Sequence, residues 1–139
     1  MKLIFNKNKK YILKFKKGEE FIEKLTDFCI EKNVKAAWFQ GIGAGDKADI
    51  SFYNLKTQKY ANKVFKEEFE ILSLIGNVAL ADGKIIVHAH ISLGKKDFET
   101  FGGHLNKLWV AGTCEIFLEA FGGEFKREQD KETGLKLLK

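Results

Sequence analysis

The run Phe69-Glu70-Ile71-Leu72-Ser73-Leu74-Ile75-Gly76-Asn77-Val78-Ala79-Leu80-Ala81-Asp82-Gly83-Lys84-Ile85-Ile86-Val87-His88-Ala89-His90-Ile91-Ser92-Leu93 decides the fold. Asp82-Gly83 between two apolar-rich segments signals a two-residue hairpin turn, whose residues take positive φ. A loop of that length sets the register. Ala81 faces Lys84, Asn77 faces His88, Ile75 faces His90 and Ser73 faces Ser92. Directly opposed residues share one sheet face, so Ser73, Asn77, His88, His90 and Ser92 gather on one side. Val87, Ala89, Ile91 and Leu93 then form a core surface on the other. The first arm, Phe69 to Leu80, is apolar on both faces and reads as a central strand.

Working outward, Tyr11 to Lys16 alternates as an early strand. Gly18-Glu19-Glu20 opens a helix on which Phe21, Ile22, Leu25, Phe28 and Cys29 recur at three- and four-residue steps, a single helical face. Asn33 is a suitable stop. Lys35 to Gln40 reads as a strand running into Gly41-Ile42-Gly43-Ala44-Gly45, after which Ala48 to Tyr53 continues extended. The glycines do not match the G-x-G-x-x-G dinucleotide fingerprint and no helix follows them, so a sheet bend or close backbone packing is the better reading. Lys59 to Phe65 is polar enough for an edge strand, and Thr113 to Ala120 is a further strand. Gly102-Gly103 before His104 reads as a glycine-rich turn. From about residue 124 to 139 the chain is polar and reads as a tail that packs on a neighbour or frays.

Composition narrows the function. At 139 residues with 45% hydrophobic content, 13 of them phenylalanine, the chain is expected to form one domain spanning 1–139. No apolar run reaches the ~18 residues of a membrane span, so no membrane partner is expected. The N-terminus has no apolar segment of the secretory type. Cys29 and Cys114 both fall at core positions and read as buried thiols, which favours a reducing, cytoplasmic setting. The net charge of +5 hints at an anionic partner. Its basis is lysine, with Arg127 as the sole arginine, whereas direct base readout leans on arginine. Sequence-specific DNA reading by this chain is not expected.

The three histidines carry the chemistry. His88 and His90, two apart on a strand, project to one side, and His104 on its turn can close on them. Three neutral imidazoles with an open position form a catalytic zinc arrangement. The alternative is a solvated polar strip that binds nothing, and spacing alone leaves both open. Asn77 and Ser92 share the histidine face and are candidates to orient the ligands. Glu115 faces away from Cys114, Ile116 and Leu118. It is either a general base, if it lies near the histidines, or an exposed carboxylate paired with lysine.

In order, Gly18-Glu19-Glu20, Phe69 to Asn77, the Asp82-Gly83 turn, His88-Ala89-His90-Ile91-Ser92-Leu93-Gly94, Gly102-Gly103-His104-Leu105 and Thr113-Cys114-Glu115-Ile116 resemble the PPC (plants and prokaryotes conserved) domain family. The resemblance covers nearly the whole chain. It implies an α+β fold, a mixed and mainly antiparallel sheet packed with helices, assembled as a homotrimer. It also implies zinc on the histidines matching His88, His90 and His104. Prokaryotic members are stand-alone domains often named as DNA-binding. In plants the domain follows AT-hooks, which this chain cannot form with one arginine. Asn106, Lys107 and Leu108 also depart from the acidic residue and glycine usual after the third histidine. Trp109, next in sequence, either caps the site, fills a subunit contact or packs in the core.

Two functions follow from these readings, beside a purely structural trimer whose histidines only stabilise the fold. One is a regulatory trimer module with a three-histidine zinc site, acting near DNA weakly and indirectly. The other is a zinc-dependent hydrolase or lyase acting on a small polar substrate.

Overall fold

The structure is a computed structural model describing residues 1–139. It contains strands β1 (Lys2–Lys7) and β2 (Lys10–Lys16), helix α1 (Phe21–Glu31), then β3 (Ala37–Asn54), β4 (Lys59–Phe65), β5 (Phe69–Ala81), β6 (Lys84–Gly94), β7 (Thr100–Ala120), β8 (Lys126–Gln129) and β9 (Lys136–Leu138). The sheet is mainly antiparallel, with β8 running parallel to β5. It carries one short helix rather than the several that were expected.

The β5–β6 hairpin forms in the register its turn dictates. Ala81 pairs with Lys84, Asn77 with His88, Ile75 with His90 and Ser73 with Ser92. Asp82 (φ 51°) and Gly83 (φ 74°) both adopt the left-handed conformation that the turn requires. β5 is central, flanked by β3 and β6. β6 pairs in turn with β7, and β7 with β3, so β3, β5, β6 and β7 close a circuit of antiparallel pairs. β4 pairs with β3 alone and is an edge, as its polarity requires.

β3 and β7, at 18 and 21 residues, far exceed the usual strand length of about 3–10. Each bends at register shifts near Gly43, Gly45 and Asp49, which lets one strand serve several neighbours. Ala37–Gln40, from the segment read as Lys35–Gln40, and Ala48–Tyr53 are therefore parts of one strand, continuous through the glycines. Likewise His104 lies within β7, not on a turn. A side chain at Gly102 would meet the Ile91 carbonyl oxygen at 2.1 Å, so this glycine marks tight strand contact. β1 has no counterpart among the expected elements. It pairs with β2 through a turn at Asn8 and Lys9, both at positive φ.

Helix α1 buries Phe21, Leu25, Phe28 and Cys29, the face read from the sequence. Its N-cap is Glu20, whose carboxylate accepts from the backbone N–H groups of Ile22 and Glu23 and also from Leu108 N at 2.9 Å. One side chain thus satisfies orphan helix donors and ties the helix to β7. The helix face joins Leu13, Phe15, Phe39, Leu74, Ile91, Leu93, Leu108 and Ile116 in one buried core. Cys29 and Cys114 lie in that core as free thiols, and burial pushes each up to about 12.

The tail does not fray: it folds into two short strands. β8 and β9 pair with each other, and β8 extends β5. Tyr53 Oη donates to Thr133 O at 2.7 Å, and Lys136 Nζ pairs with Asp82 at the hairpin turn. No helix is long and apolar enough to cross a membrane.

Candidate metal centre

Two pairings bring the histidines together. His88 and His90 lie on one face of β6, and His90 is the direct cross-strand partner of His104 on β7. Ring centroids stand 5.3 Å apart for His88–His90, 5.0 Å for His88–His104 and 5.5 Å for His90–His104. One nitrogen from each ring falls within 4.8 Å of the others. Around a tetrahedral ion with bonds of about 2.0–2.1 Å, ligand nitrogens stand ~3.3 Å apart. Small rotations of side chains already facing one another close that difference. The three residues therefore fit a divalent ion, and a tetrahedral site would keep one position free.

The surroundings favour the neutral imidazole that a metal requires. His88 and His104 are half-buried, while His90 is exposed. Burial, then the charge of Arg127, then the neighbouring imidazoles push His88 down to about 4. His104 is lowered by burial first, then by His90 and Arg127.

Arg127 is the residue that sequence reasoning missed. It stands on β8, in what reads as a featureless polar tail. Its Nη2 donates to Asn77 Oδ1 at 2.7 Å and lies 3.1 Å from His88 Nδ1, while Nη1 donates to Lys136 O at 2.9 Å. No motif or periodicity marks the residue. Being the sole arginine was its only signal. Asn77, buried on the histidine face, is therefore bound to the arginine and reaches His88 only through it. Ser92 is exposed beyond His90, pairs with Ser73 and Gly102, and makes no side-chain hydrogen bond. A polar network also backs β7. Ser51, the cross-strand partner of His104, bonds Asn62 at 2.9 Å, and Asn106 donates to Asp49 at 3.0 Å. The Tyr60 ring packs 5.6 Å from that of His104.

Glu115 is not brought to the histidines of its own chain. It lies on β7 eleven positions beyond His104, about 35 Å along an extended strand. There it is exposed, 3.9 Å from Lys14 Nζ, the lysine-paired alternative weighed from sequence. Trp109 is half-buried and away from the cluster, with Lys47 Nζ 4.0 Å over its ring. It is not a cap on the site.

The fold and the three imidazoles together define a class: a small mixed-sheet domain with a histidine-rich candidate metal centre where two of its strands meet. The chain belongs to the Plants and Prokaryotes Conserved (PCC) domain family, whose model matches residues 4–122. It is similar to the plant- and prokaryote-conserved protein of Pyrococcus horikoshii, with 34% identity, coverage of 99% of this chain and 93% of that one, and a TM-score of 0.88. It is also similar to a metal-containing protein of Archaeoglobus fulgidus, at 35% identity, 99% coverage of both chains and a TM-score of 0.87. A candidate DNA-binding protein of Bacteroides thetaiotaomicron matches at 30% identity, 97% and 94% coverage, and a TM-score of 0.93. No curated protein matches.

Proposed function

We propose that this chain is a regulatory PCC-domain module that holds one divalent ion, zinc, on His88, His90 and His104. The convergence of all three histidines at one strand junction carries the reading. Zinc suits a set of three neutral nitrogen ligands with an open position. A related protein of the same fold is named as metal-containing. An ion so held supplies Lewis acidity, and the chain's own residues supply the rest: two half-buried imidazoles kept neutral and a third open to solvent.

The module works as a homotrimer. Large apolar side chains left exposed on this chain, among them Ile42, Leu72 and Phe98, support association with further copies. Its contact with DNA is indirect or electrostatic. That part rests on relatives named as candidate DNA-binding proteins and on the lysine-based charge. Such contact weakens steeply with salt. A second reading, a zinc-dependent hydrolase or lyase acting on a small polar substrate, is favoured by the exposure of His90, which leaves the site open.

The test is metal content. Protein purified without a histidine tag is expected to retain close to one zinc per chain, and His90→Ala to lose it. Wild-type protein that stays metal-free after zinc is added back would remove the metal from the account.

A further inference from the structure

The site is built with positive charge and no negative charge to balance it. The imidazoles are neutral ligands and leave a divalent ion its full charge. Beside them the chain places Arg127, which always carries +1. No carboxylate lies within ion-pairing distance of that guanidinium. The acids of the hairpin turn and of the segment around Arg127 pair with lysines instead: Asp82 with Lys136, Glu128 with Lys139, and Glu124 with Lys126 and Lys35. A half-buried arginine without a carboxylate, touching a ligand of a divalent-cation site, is electrostatically unfavourable as it stands.

The hydrogen bonding of Arg127 is incomplete as well. A guanidinium has five N–H donors. Asn77 Oδ1 and Lys136 O take two of them; His88 Nδ1, 3.1 Å from Nη2, is no acceptor once His88 is a neutral metal ligand, because the ring nitrogen not on the ion carries the proton. Nε is buried with no partner. The fixed fork of arginine matches the paired oxygens of a carboxylate or phosphate. Asn77 and the Lys136 carbonyl hold that fork against the histidine cluster, and the exposed His90 leaves the cluster reachable from solvent.

We propose that this site takes a small oxyanion ligand, a carboxylate or a phosphate, bound jointly by the Arg127 guanidinium and the ion on His88, His90 and His104. The proposal rests on the metal reading and adds the class of ligand that completes it. Arg127 lies outside the matched residues 4–122, so the family match does not carry this property. It belongs to the β8–β9 segment of this chain.

The probes are acetate, malonate and inorganic phosphate, titrated into cobalt-loaded protein and followed by the visible cobalt bands and by calorimetry. Wild type is expected to bind at least one of them tenfold or more tightly than Arg127→Gln, with Arg127→Lys in between. Thermal unfolding shows that each variant is folded. Cobalt uptake by Arg127→Gln is expected to be equal or stronger, because a neighbouring positive charge has been removed. Which probe binds best separates carboxylate from phosphate. Equal anion affinity in wild type and Arg127→Gln, or no anion binding by cobalt-loaded wild type, overturns the proposal. If wild type takes up no cobalt, the metal reading falls by itself. Joint binding falls with it, and calorimetry on the metal-free protein then tests the arginine half: binding lost in Arg127→Gln keeps Arg127 as the anion's partner without an ion, and no binding overturns that too.

Discussion

The two ends of β7 treat charge in opposite ways. At the far end, the exposed Glu115 and the half-buried Glu119 face Lys14 and Lys10 across the β2–β7 ladder, at 3.9 and 3.5 Å. That end is balanced within the chain and wet. At the near end, His104 meets His88 and His90 beside Arg127, half-buried, with no carboxylate among them. Opposed surface charges on a strand pair contribute only a few tenths of a kcal/mol. A half-buried arginine with no carboxylate partner, set beside three imidazoles, is a standing cost, and on the reading proposed above a bound ion and its ligand complete the site.

The comparison is broken or sharpened most strongly by ligand removal. His104→Ala is expected to weaken zinc binding at least a hundredfold, while Glu115→Gln leaves it unchanged, both read by competition with a chromophoric chelator. A loss of binding in Glu115→Gln would mean that the far end reaches the site.

Packing at the near end comes next. Gly102→Ala places a methyl against the Ile91 carbonyl, where β7 lies tight on β6. Its expected cost is about 1–3 kcal/mol, measured by urea unfolding of the metal-free protein. It should also lower metal affinity, because it shifts His104 relative to His90. A variant as stable as wild type would show that the strands are not in close contact there.

A third expectation concerns pH. His88 in the fold sits at about 4 against an ordinary 6.5. Between those values the unfolded chain binds the extra proton and the native chain does not. Metal-free stability is therefore complete above about pH 6.5 and falls as the pH drops toward 4, and His88→Asn flattens that slope. A thermal midpoint independent of pH across this window would contradict the burial of His88. The smallest effect belongs to the far end, where Lys14→Ala should cost no more than about 0.5 kcal/mol.

Much of this was readable in advance, for local reasons. The Asp82-Gly83 turn dictates a register, and the register alone places Asn77 opposite His88 and Ile75 opposite His90. The face of α1 follows from its three- and four-residue spacing. The misreadings share a physical cause. Gly102 and Gly103 carry the signature of a turn, yet they are small because other backbones pass close by, β6 at Gly102 and β3 at Gly103, which only the pairing of β7 with both reveals. Glu115 is not among them: the sequence leaves it open between a base and a lysine-paired carboxylate, and the 21-residue strand places it beside Lys14 in this chain. Arg127 arrives by tertiary contact from a polar segment whose strands are 4 and 3 residues long, too short to show a period.

The most direct test of the account is anomalous diffraction at the zinc edge from crystals of tag-free, zinc-loaded protein. One anomalous peak per chain, bonded at about 2.0–2.1 Å to a ring nitrogen of each of His88, His90 and His104, is the predicted result. A peak elsewhere, or none at the three imidazoles, would contradict it.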